Sequence, residues 1–92
     1  MLERDLQKYF LKRCSARGWF AVKTDSSSRR GWPDITLVQT GGVIQLVELK
    51  TLSGCLSVHQ KRVHAEIVAL GGVVHVLSGR EAVDHFLNTS VI

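Results

Sequence analysis

The 92-residue sequence predicts one α/β domain, residues 1–92, with a mixed sheet flanked by helices in the order α-β-β-β-α-β-α. Three observations carry that reading. Apolar residues recur at every fourth position near the start of the chain. Two β-rich runs are joined by a Gly-Gly turn, and a capped helical stretch leads directly into another β-rich run. The first pattern is the buried stripe of a helix, the second an antiparallel hairpin, and the third a crossover that adds a parallel strand.

The elements follow in order. Leu2, Leu6, Phe10 and Cys14 form the stripe, with Tyr9 and Arg13 on its flanks, so a helix runs from about Leu2 to Arg17 and stops at Gly18. Trp19 to Lys23 is aromatic and β-branched and reads as a strand. Thr24 to Gly31, TDSSSRRG, is a polar loop. Asp34 to Gln39 turns to β composition, Thr40-Gly41-Gly42 is a turn signal, and Val43 to Lys50 is the second hairpin strand. After the loop Ser53-Gly54-Cys55, Ser57 opens a helix: its hydroxyl can accept from the amide of Gln60, whose side chain can reach back to the Ser57 amide. Val63, Ile67 and Leu70 share a face of that helix, and Gly71-Gly72 ends it. Val73 to Leu77 is a strand, and Ser78 with Glu81 repeats the capping spacing before a last helix through about Leu87.

Composition narrows the function class. Twelve Lys and Arg against eight acids give a net charge of +4, a bias toward polyanions that is weak by itself. Cys14 and Cys55 match no CxxC spacing and read as reduced thiols. The opening Met-Leu-Glu-Arg-Asp is unlike a signal peptide, and the apolar runs are too broken to span a membrane. The expected location is therefore intracellular, in cytoplasm or nucleoid.

The polar groups of the hairpin point to chemistry. Alternation puts Ile44, Leu46, Glu48 and Lys50 on one face of their strand, with Glu48 and Lys50 about 7 Å apart. Pairing about the Gly41-Gly42 turn sets Asp34, at the start of one strand, beside Glu48 near the end of the other. Two carboxylates that close repel unless neutralised, which Mg²⁺ or Mn²⁺ does well, since hard cations take oxygen ligands and keep waters. Such a metal polarises a phosphate and acidifies a bound water, while Lys50 positions that water or offsets transition-state charge. An exposed Glu48–Lys50 salt bridge and a turn-capping Asp34 are the plainer alternative.

Pro33-Asp34 followed by Glu48-Leu49-Lys50 resembles the PD-(D/E)xK nuclease superfamily, with its restriction-endonuclease-like core. More narrowly, Glu3 in the first helix, "GWPD" at Gly31 to Asp34, "VELK" at Val47 to Lys50 and "LSVHQ" at Leu56 to Gln60 make nearly the whole chain resemble a stand-alone VRR-NUC domain, the virus-type replication and repair nuclease module. The resemblance implies Asp34, Glu48 and the backbone carbonyl of Leu49 as metal ligands, Lys50 as the catalytic lysine, and Glu3 and Gln60 as further site residues, Glu3 acting on the metal through water. It implies a Mg²⁺- or Mn²⁺-dependent endonuclease acting on branched DNA, similar to homodimeric four-way-junction resolvases. Glu3 borders the buried stripe of its helix, and Gln60 precedes Val63 and Ile67 by three and seven residues, so each faces inward. A favourable acid in a first helical turn and a capping-box glutamine are their plainer roles.

For DNA contact the candidates are Lys23, the loop residues Ser27, Ser28, Arg29 and Arg30, and Lys61 and Arg62 beside Gln60. The loop also reads as merely solvated, and the two helix cations as keeping their helix wet. Trp32 packs a loop or stacks on a base. His59, His64, His75 and His85 form no ligand set by spacing, and His75, inside an apolar strand, reads as a satisfied core histidine. Two other functions stay open: a nucleic-acid-binding module that kept the fold without the chemistry, and an RNA endonuclease.

Overall fold

The computed structural model describes residues 2–24 and 29–89. Helix α1 (Glu3–Ala16) is followed by strands β1 (Phe20–Lys23), β2 (Ile35–Gln39) and β3 (Val43–Lys50), helix α2 (Val58–Ala69), strand β4 (Val74–Ser78) and helix α3 (Gly79–Thr89). The sheet order is β1-β2-β3-β4. The first two pairings are antiparallel and β3–β4 is parallel, so the sheet is mixed as the element order predicts.

Local chemistry explains each boundary. Glu3 and Asp5 occupy the first turn of α1 and Arg13 its last, the arrangement the helix dipole favours. Gly18, at φ 76°, ends it: the amides of Gly18 and Trp19 turn back to the carbonyls of Ser15 and Cys14. At α2 the Ser57 hydroxyl accepts from the Gln60 amide and the Gln60 side chain from the Ser57 amide, so the capping box is complete. Ser78 closes β4 opposite Lys50 and immediately precedes α3.

One face of the sheet makes the core. Ile35, Leu37, Val47, Leu49 and Leu77 meet Leu6, Phe10 and Cys14 of α1 and Val83 and Leu87 of α3. Burying each large side chain contributes about 1.5–3 kcal/mol. His75 lies on this face, 5.0 Å from the Phe86 ring, with Nε2 3.0 Å from the Gln45 amide oxygen. It is a satisfied histidine, as its apolar strand suggests. Burial also pushes the Cys14 thiol up to about 11, and Cys14 and Cys55 are both free.

The other face is covered only in part. Helix α2 lies over Leu46 and Glu48, while Phe20, Val22, Ile44 and Val76 on that face stay exposed, Ile44 by 64%. Among the described residues no helix is long and apolar enough to cross a membrane.

Candidate active site

The hairpin register assembles the centre of the site. Ile35 pairs with Val47, which brings Asp34, the residue before β2, alongside Glu48. The Asp34 carboxylate accepts a hydrogen bond from the Leu49 amide at 3.1 Å, and its backbone carbonyl accepts one from Thr24. The backbone of Leu49 therefore borders both acids. Glu48 is fully buried although it is ionisable.

The segment carrying Asp34 is pressed against the start of α2 at Gly31. That residue has φ 91°, and a Cβ there would lie 2.5 Å from the His59 carbonyl oxygen. Only glycine combines that conformation with that approach. Beyond it, Trp32 is half-buried and lines a groove with Leu46, Val63 and Ile67.

Helix α2 supplies the next partner. The Gln60 amide uses both ends: its oxygen closes the capping box on the Ser57 amide at 2.8 Å, and its nitrogen donates to Glu48 Oε2 at 3.0 Å. Gln60 therefore closes the cap of α2 and touches Glu48 with the same side chain. One turn later His64 is buried against the same carboxylate, its Nε2 3.9 Å from Glu48 Oε1.

Lys50 closes the arrangement on the exposed side. Its ammonium lies 3.7 Å from Glu48 Oε2 and 3.4 Å from Glu3 Oε1, at the N-terminus of α1. The side chain is 14% exposed, so its amine stands at the mouth of the site between an inner and an outer carboxylate. The structure thus brings Glu3 to Lys50.

The electrostatics are those of a crowded acid pair. Burial, then the hydrogen bond and charge of Asp34, push the Glu48 carboxyl up to about 8, with Lys50 pulling the other way. Burial lowers the His64 imidazole below its ordinary range. Among the described residues Glu48 Oε1 has no hydrogen-bond partner, an arrangement that costs stability when a polar atom is buried. A hard divalent cation fits this set, because it would occupy the open oxygen and relieve the repulsion from Asp34. Among the described residues no three His, Cys, Asp or Glu side chains gather as a ligand set, so backbone and water oxygens would complete the shell.

No family model and no curated protein matches the chain. Among solved structures it is similar to a VRR-NUC domain, at 31% sequence identity, a TM-score of 0.85 and 95% coverage of each chain. The chain belongs to the VRR-NUC family. Its fold is the restriction-endonuclease-like fold of nucleases, on which the features resembling VRR-NUC motifs, Glu3, Asp34, Glu48, Lys50 and Gln60, converge on one end of β3.

Around that VRR-NUC centre the basic candidates divide. Lys61 and Arg62 are exposed on α2 beside Gln60, and Arg30 is exposed next to Gly31. Arg29 forms an exposed ion pair with Glu66 of α2. Lys23 pairs with Ile35, the residue after Asp34, so it lies at the same sheet edge as that acid but on the core-side face. Ser27 and Ser28 lie outside the described residues. His64, which belongs to no histidine ligand set by spacing, lies four residues after Gln60, a separation that already places the two on one helical face.

Proposed function

We propose that this VRR-NUC domain, residues 1–92, is a Mg²⁺- or Mn²⁺-dependent DNA endonuclease that hydrolyses phosphodiester bonds in branched DNA, four-way junctions foremost, as a homodimer. The observation that carries the chemistry is the buried Glu48 carboxyl, with one oxygen open, set against Asp34 and backed by the Lys50 ammonium. Asp34, Glu48 and the Leu49 carbonyl would hold the metal. When bound, the cation supplies Lewis-acid polarisation of the scissile phosphate and acidifies a water.

The chain's own residues do the rest. Gln60 fixes the orientation of Glu48 through Oε2 and leaves Oε1 unpaired, so that oxygen would be available to the cation. The Leu49 amide does the same for Asp34. Lys50, held between Glu3 and Glu48, offsets the negative charge that grows on the phosphate oxygens as the P–O bond breaks. Arg30, Lys61 and Arg62 are free to contact backbone phosphates, an interaction that weakens with salt and carries no base preference.

The dimer reading rests on the uncovered face. Phe20, Val22 and Ile44 form an apolar patch on the sheet that a second copy would bury, giving two sites for paired nicks. Ile44→Glu is expected to yield monomers in sedimentation without lowering the melting temperature of the fold. A variant that sediments like the parent would remove this patch as the interface.

The catalytic test is a panel of duplex, flap, splayed-arm and four-way-junction DNA, with an RNA junction in parallel, incubated in Mn²⁺. Cleavage of the DNA junction is expected, abolished by EDTA and by Asp34→Asn or Glu48→Gln in folded protein. Full activity in EDTA or in either variant sinks the mechanism. Binding without product identifies a non-catalytic module, and product from flaps alone removes the resolvase reading.

A further inference from the structure

Two buried atoms of the site lack hydrogen-bond partners among the described residues, and they face one another. Glu48 Oε1 and His64 Nε2 stand 3.9 Å apart, beyond hydrogen-bond range, with no other group serving either. Buried polar atoms in folded proteins are nearly always satisfied, and these two unpaired atoms lie next to one another. The other carboxylate oxygen, Oε2, is already taken by Gln60 at 3.0 Å and approached by Lys50 at 3.7 Å. His64 is 8% exposed and lies one helical turn beyond Gln60, so α2 presents two donors in register to the two oxygens of one acid.

We infer that His64 is a positioning residue for Glu48: its Nε2–H closes onto Oε1 when a divalent cation holds that carboxylate, fixing the plane in which Glu48 offers its oxygens. The inference rests on the reading of Glu48 as a cation ligand. Closing the gap takes about 1 Å of movement, within the reach of a side-chain torsion. One oxygen can receive both the donor and the cation because a carboxylate oxygen has two lone-pair directions. Gln60 and His64 then grip the acid from one rigid helix, as the outer partners of metal-bound side chains do.

The test is direct cation binding, by calorimetry with Mg²⁺ alone and Mn²⁺ alone, on the parent, His64→Ala, His64→Gln and Glu48→Gln proteins. His64→Ala is expected to weaken both cations about 10- to 100-fold and by the same factor. His64→Gln, which keeps a donor in the helix, restores most of the affinity. A role confined to packing would instead lower the melting temperature of both variants while leaving the affinity of the folded fraction at the parent value. Loss of Mn²⁺ binding alone makes His64 a direct ligand and overturns the positioning role. Glu48→Gln separates the two levels: if it leaves cation binding intact, the underlying site reading fails. If it abolishes binding while both His64 variants match the parent, only the inference about His64 fails.

Discussion

Replacing Glu48 by glutamine in metal-free protein isolates the cost of charging a carboxylate in the interior. The parent side chain is fully buried and keeps its proton up to about pH 8, against an ordinary value of 4.5. Because the folded value is the higher one, the fold binds this proton more tightly than the unfolded chain does. Its contribution is complete below about pH 4.5 and is lost as pH rises through about 8. At about 1.4 kcal/mol per pH unit of displacement, the loss between about pH 5 and about pH 9 is about 4 kcal/mol. That is a large share of the roughly 5–15 kcal/mol available to a domain of this size. Glutamine keeps the shape and cannot ionise, so Glu48→Gln should show little of this slope and exceed the parent in stability at alkaline pH. Urea denaturation in EDTA across that range measures both curves. A variant that loses as much stability as the parent between the two pH values would refute the assignment of the slope to Glu48.

Cation binding should displace the same proton. Mg²⁺ or Mn²⁺ affinity is expected to rise up to about tenfold per pH unit below about pH 8 and to level above it. Calorimetry in buffers of different ionisation enthalpy would record about one proton released near neutrality, and the absence of proton release would contradict it. Gly31→Ala forces a Cβ to 2.5 Å from the His59 carbonyl at φ 91°. It should cost about 1–3 kcal/mol in denaturation and weaken cation binding through the displaced Asp34. Ser57→Ala, which loosens the first turn of α2 but keeps the Gln60 side chain, should cost about 1 kcal/mol and weaken cation binding only slightly. Gln60→Ala should cost more and also weaken the cation, since it removes the donor on Glu48 Oε2.

The hairpin was the legible part of the molecule, and the physics of strands says why. Side chains alternate strictly, and a short glycine turn sets the register, so the meeting of Asp34 with Glu48 follows from spacing alone. Gln60 was legible as a capping residue and as an inward one, because both roles are local to one helix. The face taken by Lys23 was not legible, because the loop before β2 is long and does not set the parity of β1 against it. Only the observed pairing of Lys23 with Ile35 shows which face it takes. The contact of Glu3 with Lys50 depends on how α1 docks on the sheet, which no local pattern encodes. His64 was hidden because a histidine between Val63 and Ile67 reads as one more polar residue until Gln60 is seen to touch Glu48.

The double duty of Gln60 makes the first turn of α2 part of the site's timing. An amide that closes a helix start and holds a carboxylate cannot release one without disturbing the other. Fraying of that turn therefore unhooks Glu48, and a cation held by Glu48, as proposed, would slow the fraying. Hydrogen exchange at the amides of Gln60 and Lys61 should then serve as a local clock of site occupancy, expected to be slower in Mg²⁺ than in EDTA, while the amides of α3 should keep the same rate in both.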